Sequence, residues 1–278
     1  MSNGSLFPYL HGFSPKEQAR LRAQAKFGEH MIYRDVNFSA CKKILEVGCG
    51  VGAQSEIILR RFPDLHLTGI DLNERQLKAA IAHLGSLPFA KGRFELKLLD
   101  ASNMEFPSKS FEGAFLCWIL EHVPDPARIL SEVRRVLIPG SRIYVTEVMN
   151  HSFFLDPYSP MVWKYWMAFN DYQYENAGDP FIGAKLGNLL TAVGYTNVET
   201  HIKTWHYDNR HPENRREIIE YWTELLLSGQ EQLLSSGAVT ADIVKGAVEE
   251  LNTVRKDPNA VFMYSFMQAS AVVGPSLG

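Results

Sequence analysis

Apolar and polar positions along the chain fall into short blocks of changing period. Lys43-Ile44-Leu45-Glu46-Val47 is an apolar run that breaks into Gly48-Cys49-Gly50-Val51-Gly52, after which Ile57, Ile58 and Phe62 recur at helical spacing. That pattern predicts a strand, a glycine loop and a helix. Leu65 to Asp71 predicts a second strand, followed by a helix capped by Asn73 and closed by Gly85. Arg93 to Leu99 and Phe111 to Trp118 predict a third and a fourth strand. Asp125-Pro126 then caps a helix reaching Leu137, and Pro139-Gly140 turns the chain into a fifth strand, Arg142 to Val148. Ala184 to Val193 reads as a helix ended by Gly194, and Thr196 to Trp205 and Ala260 to Val273 read as two last strands around a helical stretch from Pro212 to Lys256.

Strands separated by helical patterns of ten or more residues predict a parallel sheet with helices on both faces. One α/β domain over residues 43–278 accommodates this order, with a cap inserted at 150–183 and a helical insertion at 212–256. Residues 1–42 precede it as a helical extension: Ser14-Pro15-Lys16-Glu17 places an N-cap serine before a proline and a glutamate, so a helix starts there and runs toward His30. Tyr9, Phe13 and Phe27 on or beside that helix need cover, which predicts a lid over a ligand mouth or a contact with another subunit of a homo-oligomer.

Composition narrows the classes. With 46% hydrophobic and 21% charged residues the 278-residue chain buries a sizeable core. A net charge of −3 provides no basic field for nucleic acid or an anionic membrane. The basic residues Arg210, Arg215 and Arg216 are interrupted by Glu213 and Glu217, as on a solvated helix face. Cys41, Cys49 and Cys117 are an odd count without metal-ligand spacing, so no metal is expected and a reducing compartment is. Met1 to Ser5 carries neither a basic nor an apolar leader, which adds to the expectation of a cytoplasmic protein without a membrane span.

The chemistry centres on the glycine loop. Glycines between a strand and a helix let the backbone approach a ligand, and the helix start supplies N–H groups, so a nucleotide-like ligand is the natural reading. Asp71, 19 residues past Gly52 at the end of the second strand, is placed to accept ribose hydroxyls, and Asp100 ends the third strand. Gly48, Gly50 and Ala53 also satisfy the dinucleotide pattern. Glu46 before the first glycine, the third glycine at Gly52, Asp100, and Leu120-Glu121-His122-Val123-Pro124-Asp125-Pro126 after the fourth strand favour another cofactor.

In these motifs, from about Lys43 to Val148, the sequence resembles the class I S-adenosyl-L-methionine (SAM)-dependent methyltransferases, in particular the small-molecule branch that includes the ubiquinone and menaquinone pathway enzymes. The resemblance implies a Rossmann-like seven-stranded sheet of order 3-2-1-4-5-7-6 with the last strand antiparallel, helices on both faces and a helical, aromatic cap. It implies that Gly48, Gly50 and Gly52 approach the methionine half of SAM, that Asp71 holds the ribose, and that Leu72 flanks the adenine. Asp100 and the Ala101 backbone would meet the adenine amino group, the chain at Cys117 and Trp118 the methionine ammonium, and Glu46 would steady the glycine loop. S-adenosyl-L-homocysteine would be the product.

Methyl transfer is an in-line displacement that needs positioning and exclusion of water more than many catalytic groups. Nine aromatic residues crowd the 22 positions from Phe153 to Tyr174, just past the fifth strand, where open α/β sheets bind ligands. Most would pack the cap, and the surplus, with Phe154, Tyr158, Trp163, Trp166 and Tyr172 as candidates, would wall an apolar substrate pocket. Glu147, His151, Asp156, His206 and Tyr207 are polar candidates near that edge. His151 leads them, and Glu121 and His122 are as readily local loop formers as substrate groups. The expectation is a methyltransferase for a small, largely apolar or aromatic metabolite, its oxygen, nitrogen or carbon acceptor undecided. A methyltransferase of protein or RNA, or a non-catalytic SAM-binding module, is the alternative.

Overall fold

The computed structural model describes residues 11–274, so the readings of Met1 to Ser5 and of Tyr9 lie outside it. Helix α1 (Pro15–Ile32) starts as expected: the Ser14 side chain accepts the Glu17 N–H at 3.1 Å and Pro15 opens the first turn. Strand β1 (Lys43–Val47), helix α2 (Ala53–Arg61), strand β2 (His66–Asp71), helix α3 (Glu74–Gly85), strand β3 (Phe94–Leu98) and strand β4 (Phe111–Cys117) follow the predicted alternation. Asn73 caps α3 by accepting the N–H groups of Arg75 and Gln76, and Asp125 caps helix α4 (Pro126–Val136) by accepting that of Arg128. Strand β5 (Leu137–Val148) begins before Pro139-Gly140 and takes that turn as an irregularity in its pairing with β4.

Beyond β5 come strand β6 (Phe154–Asp156), helix α5 (Pro160–Glu175), helix α6 (Leu186–Val193) and strand β7 (Tyr195–Tyr207). The helical stretch toward the last strand divides into α7 (Pro212–Ser228), α8 (Gln230–Ser235) and α9 (Ala241–Lys256), and β8 (Val261–Val273) closes the fold.

The architecture is Rossmann-like, and the strand count is corrected from seven to eight. The order is β3-β2-β1-β4-β5-β8-β6, with β7 on the other edge of β8. Thus β8 fills the seventh strand's expected place beside β5, antiparallel, and β7 fills the sixth's. The additional strand is β6. β5 covers only Phe266 to Val272 of β8, so the backbone groups of Val261 to Met263 need partners, and Phe154 to Asp156 supply them.

Alternate strand positions feed two apolar cores, one on each face of the sheet. Ile44 and Phe115 enter the core shared with α1, α2, α5, α7 and α9. Leu45, Ala114 and Leu116 enter the one shared with α4 and α6. The extension and the cap thereby join the first face, and the C-terminal ends of β1, β2, β4 and β5 open beneath them.

Candidate active site

The loop after β1 is built by backbone bonds and positive φ. Gly48 and Cys49 both donate to the Ile70 carbonyl, at 2.8 and 3.0 Å, and Gly48, Gly50 and Gly52 have φ of 70°, 48° and 74°. A Cβ on Gly48 would lie 2.5 Å from Ile119 Cδ1, whereas one on Gly50 would meet nothing within 4 Å. Gly50 therefore faces open space. Gly52 looks the other way, where its Cβ position is 3.2 Å from Ala80 and Leu84, so this glycine lets α2 and α3 pack.

The open space is a cavity of about 790 Å3, within the roughly 300–1,000 Å3 of small-molecule sites. Gly48, Gly50, Asp71, Leu72, Asp100, Ala101, Cys117, Trp118, Glu121 and His122 all line it, brought together from four strand ends. Asp71 Oδ2 accepts the Gly50 N–H at 2.8 Å, and Oδ1 accepts that of Asn73 at 2.8 Å. Burial raises the Asp71 carboxyl above its ordinary range, against these bonds. Glu46 stands behind the loop: it is buried, accepts the Ser55 hydroxyl from α2, and is pushed up to about 8 by that burial.

Trp118, the residue just past β4, has φ of 55°, a left-handed conformation that costs a non-glycine residue roughly 1–2 kcal/mol. Its N–H is fixed by the Thr146 carbonyl at 2.9 Å. The turn that follows hangs on Glu147, which is fully buried and accepts the N–H groups of Ile119, Leu120 and Glu121 at 3.0, 2.8 and 3.3 Å. Burial, and then the nearby Glu121, push the Glu147 carboxyl well above its ordinary value. Glu121 itself is 7% exposed, accepts Gln173 Nε2 at 2.9 Å, and lies 3.6 Å from His122 Nε2.

The far half of the cavity is aromatic. Trp166, Phe169 and Tyr172 of α5 line it, as do Trp205, Tyr221, Trp222 and Tyr264. Sequence reasoning missed those last four, which come from β7, α7 and β8. The alternation of buried Phe262, Tyr264 and Phe266 marks an inner face of β8, but only the strand order turns that face to the cavity. The extension adds His11, Phe13, Arg20, Leu21 and Gln24 to the wall. His11 Nδ1 is 2.6 Å from Ser228 Oγ, and burial, with Arg20 and His122 beside it, lowers its imidazole well below the ordinary value. Arg20 Nε and Nη2 are held by both oxygens of buried Glu17, at 2.7 and 2.6 Å.

Several candidates stand elsewhere. His151 is exposed, its ring 6.1 Å from that of Phe181, because the turn after β5 directs Asn150 inward in its place. Tyr158 is 75% and Phe154 44% exposed. Phe154 projects outward because β6 alternates and buries Leu155. Trp163 packs on Phe153, centroids 5.5 Å apart, away from the cavity lining. Among the described residues no three His, Cys, Asp or Glu gather to hold a metal, and no helix is long and apolar enough to cross a membrane.

Residues 45–145 match the protein family described as Methyltransferase domain. A sterol 24-C-methyltransferase of Neurospora crassa is 32% identical over 125 residues, 43% of this chain and 31% of that protein. An O-methyltransferase of Penicillium expansum is 30% identical over 158 residues, 56% of this chain and 52% of that protein. The matched stretch thus spans about a third to a half of these relatives. Among solved structures, phosphoethanolamine N-methyltransferase 2 of Haemonchus contortus, in complex with S-adenosylhomocysteine, is similar with a TM-score of 0.57 and 19% identity, over 91% of this chain and 53% of that one. A SAM-dependent methyltransferase from Methanosarcina mazei is similar with a TM-score of 0.52 and 18% identity, over 88% and 98%. On the glycine loop, the sheet order and these likenesses, the chain carries a methyltransferase domain over residues 45–145, on the fold of the class I SAM-dependent methyltransferases.

Proposed function

We propose that the protein transfers a methyl group from SAM to a small, largely apolar or aromatic molecule. The observation that carries this reading is a single cavity that runs from the glycine loop, Asp71 and Asp100 to the aromatic chamber beside Glu121.

The lining fits a nucleoside linked to an amino acid better than a dinucleotide. Asp71 and Asp100 are acceptors suited to ribose hydroxyls and an adenine amino group, and Asp71 also orders the loop through Gly50. Pyrophosphate would bring two further negative charges beside these carboxylates and would need cations to balance them. The two lining arginines are engaged, Arg20 with Glu17 and Arg128 Nε with the Ser102 carbonyl at 2.9 Å. Gly48, Gly50 and the chain at Cys117 and Trp118 would hold the methionine half, with Leu72 and Ala101 beside the adenine; Glu46 and Gly52 would act from behind by fixing α2 and its packing on α3.

When bound, SAM supplies a methyl group activated by its positive sulfur. The protein's own part is to align and to dry: Trp166, Phe169, Tyr172, Trp205 and Trp222 bring apolar faces, and the extension, through Phe13 and Leu21, adds to the wall that excludes water. Glu121 and His122 are the groups placed to receive a proton from an acceptor. His151, in its exposed position, would take no part.

The test is transfer of labelled methyl from SAM into a metabolite extract. Label in a small product supports the reading. Label only in macromolecules, or tight SAM binding with no product, contradicts it.

A further inference from the structure

Glu46 is a buried acid that the transfer step leaves unused. It is 2% exposed, lies on the same face of β1 as Ile44, toward α1 and α2, and receives a hydrogen bond from the Ser55 hydroxyl. Among the described residues, the titratable groups facing it come from each neighbouring element: Tyr33 at the end of α1, Cys49 of the glycine loop, Asp71 of β2 and Cys117 of β4. All are neutral or acidic. Arg61 lies 5.6 Å from the Tyr33 ring centroid and within 3.6 Å of Glu29, and Glu147 adds negative charge beside Cys117.

A carboxylate here would be buried beside Asp71 with one hydroxyl as its side-chain donor, which is costly. Burial, and then Asp71, push the carboxyl up to about 8 against the Ser55 bond. Across the loop from it lies the cavity, lined there by Gly48, Cys49, Gly50 and Cys117. In the methyl-transfer reading this end takes the methionine half of the cofactor. SAM differs from S-adenosylhomocysteine there by a methyl group and the positive charge on sulfur.

We propose that Glu46 is the residue by which the site distinguishes SAM from its product: it holds a proton in the free protein and releases it when the sulfonium binds. The inference rests on the methyl-transfer reading above. The O–H bond of the carboxyl breaks, the proton passes to the buffer, and the carboxylate left behind has a counter-charge in the cofactor. Transfer of the methyl group removes the charge from sulfur, and the buried carboxylate then takes a proton back. Binding of SAM therefore strengthens as pH rises toward 8, where Glu46 ionises in the free protein, and binding of S-adenosylhomocysteine strengthens less.

The test titrates the full chain calorimetrically with SAM and with S-adenosylhomocysteine at about pH 7. Two buffers of different ionisation enthalpy are used, and their comparison gives the protons released per ligand bound. SAM should release about 0.5–0.9 of a proton and S-adenosylhomocysteine less than half as much. Glu46→Gln, neutral and still an acceptor for Ser55, should lower the release by SAM to that of S-adenosylhomocysteine. Exchange at the ligand's own amino group is the same in both proteins and cancels in the comparison. No greater release by SAM than by S-adenosylhomocysteine overturns the proposal on the unmodified protein alone, whether or not the variant folds. An undiminished difference in the folded variant overturns it as well. Failure of both ligands to bind counts instead against the methyl-transfer reading beneath it.

Discussion

Asp71 Oδ2 accepts the backbone N–H of Gly50 at 2.8 Å, tying the end of one strand to the glycine loop of its neighbour. The carboxylate proposed to meet a ribose thus also sets the loop proposed to meet the rest of the cofactor. Asp71→Ala should weaken S-adenosylhomocysteine binding by about 1.5–3 kcal/mol, the scale of a hydrogen bond to a charged group. Asp71→Asn, which retains one carbonyl acceptor, should lose less. Calorimetric titration of both variants checks this, and unchanged affinity in the alanine variant would reduce Asp71 to a turn residue.

Glu46 links the site to stability. Its carboxyl rises from the ordinary 4.5 to about 8 through burial, so between those values the folded protein binds a proton that the unfolded chain has released. Stability from this group is complete below about pH 4.5 and declines as pH rises toward 8. Each unit in that window is worth roughly 1.4 kcal/mol at most. The thermal midpoint of the ligand-free protein should fall from pH 5 to pH 8, and Glu46→Gln, neutral throughout, should flatten part of that slope. Parallel melting curves for the two proteins would contradict it.

Tyr158 and Tyr172 belong to the same aromatic segment and diverge in the structure: one is 75% exposed, the other lines the cavity. Tyr158→Ala should change stability by no more than about 0.5 kcal/mol and leave turnover intact. Tyr172→Ala should raise the acceptor's KM or lower kcat by up to about thirtyfold, with S-adenosylhomocysteine affinity unchanged, the scale of a lost aromatic face beside a cation. Steady-state kinetics of the pair separates a pocket wall from cap packing.

Residues 11–24 are proposed as a lid. His11, Phe13, Arg20, Leu21 and Gln24 all line the cavity, Glu17 and Arg20 are buried as a pair beside it, and Ala25, Gly28 and Ile32 anchor the rest of α1 in the body of the protein. Deleting residues 1–24 should leave a folded domain and lower turnover at least about tenfold by admitting water. Full turnover in the truncated protein would refute a lid.

The sheet and the gathering of the glycine loop, Asp71 and Asp100 at one end of the cavity were legible because each rests on local signals. Strand-breaking glycines, the caps Ser14, Asn73 and Asp125, and acids at strand ends are set by backbone geometry within a few residues. The acceptor end was not. Tyr221, Trp222 and Tyr264 reach the cavity through packing between elements far apart in sequence, and no local period distinguishes a ring facing a cavity from one facing the core. His151 was favoured for its place just past β5, yet a turn of three residues decides which side chain points inward, and Asn150 takes that position, held by Tyr264 Oη at 2.7 Å and by Asn170 at 2.7 Å. The strand β6 was hidden because its pairing is dictated by the unoccupied edge of β8 and not by its own three residues.

The central claim, that the glycine loop and Asp71 form a SAM site, is tested most directly by titrating the full chain calorimetrically with S-adenosylhomocysteine and, separately, with NAD. The account predicts saturable one-to-one binding of S-adenosylhomocysteine in the micromolar range, about −8 kcal/mol, and none of NAD. Saturable binding of NAD with none of S-adenosylhomocysteine would contradict it.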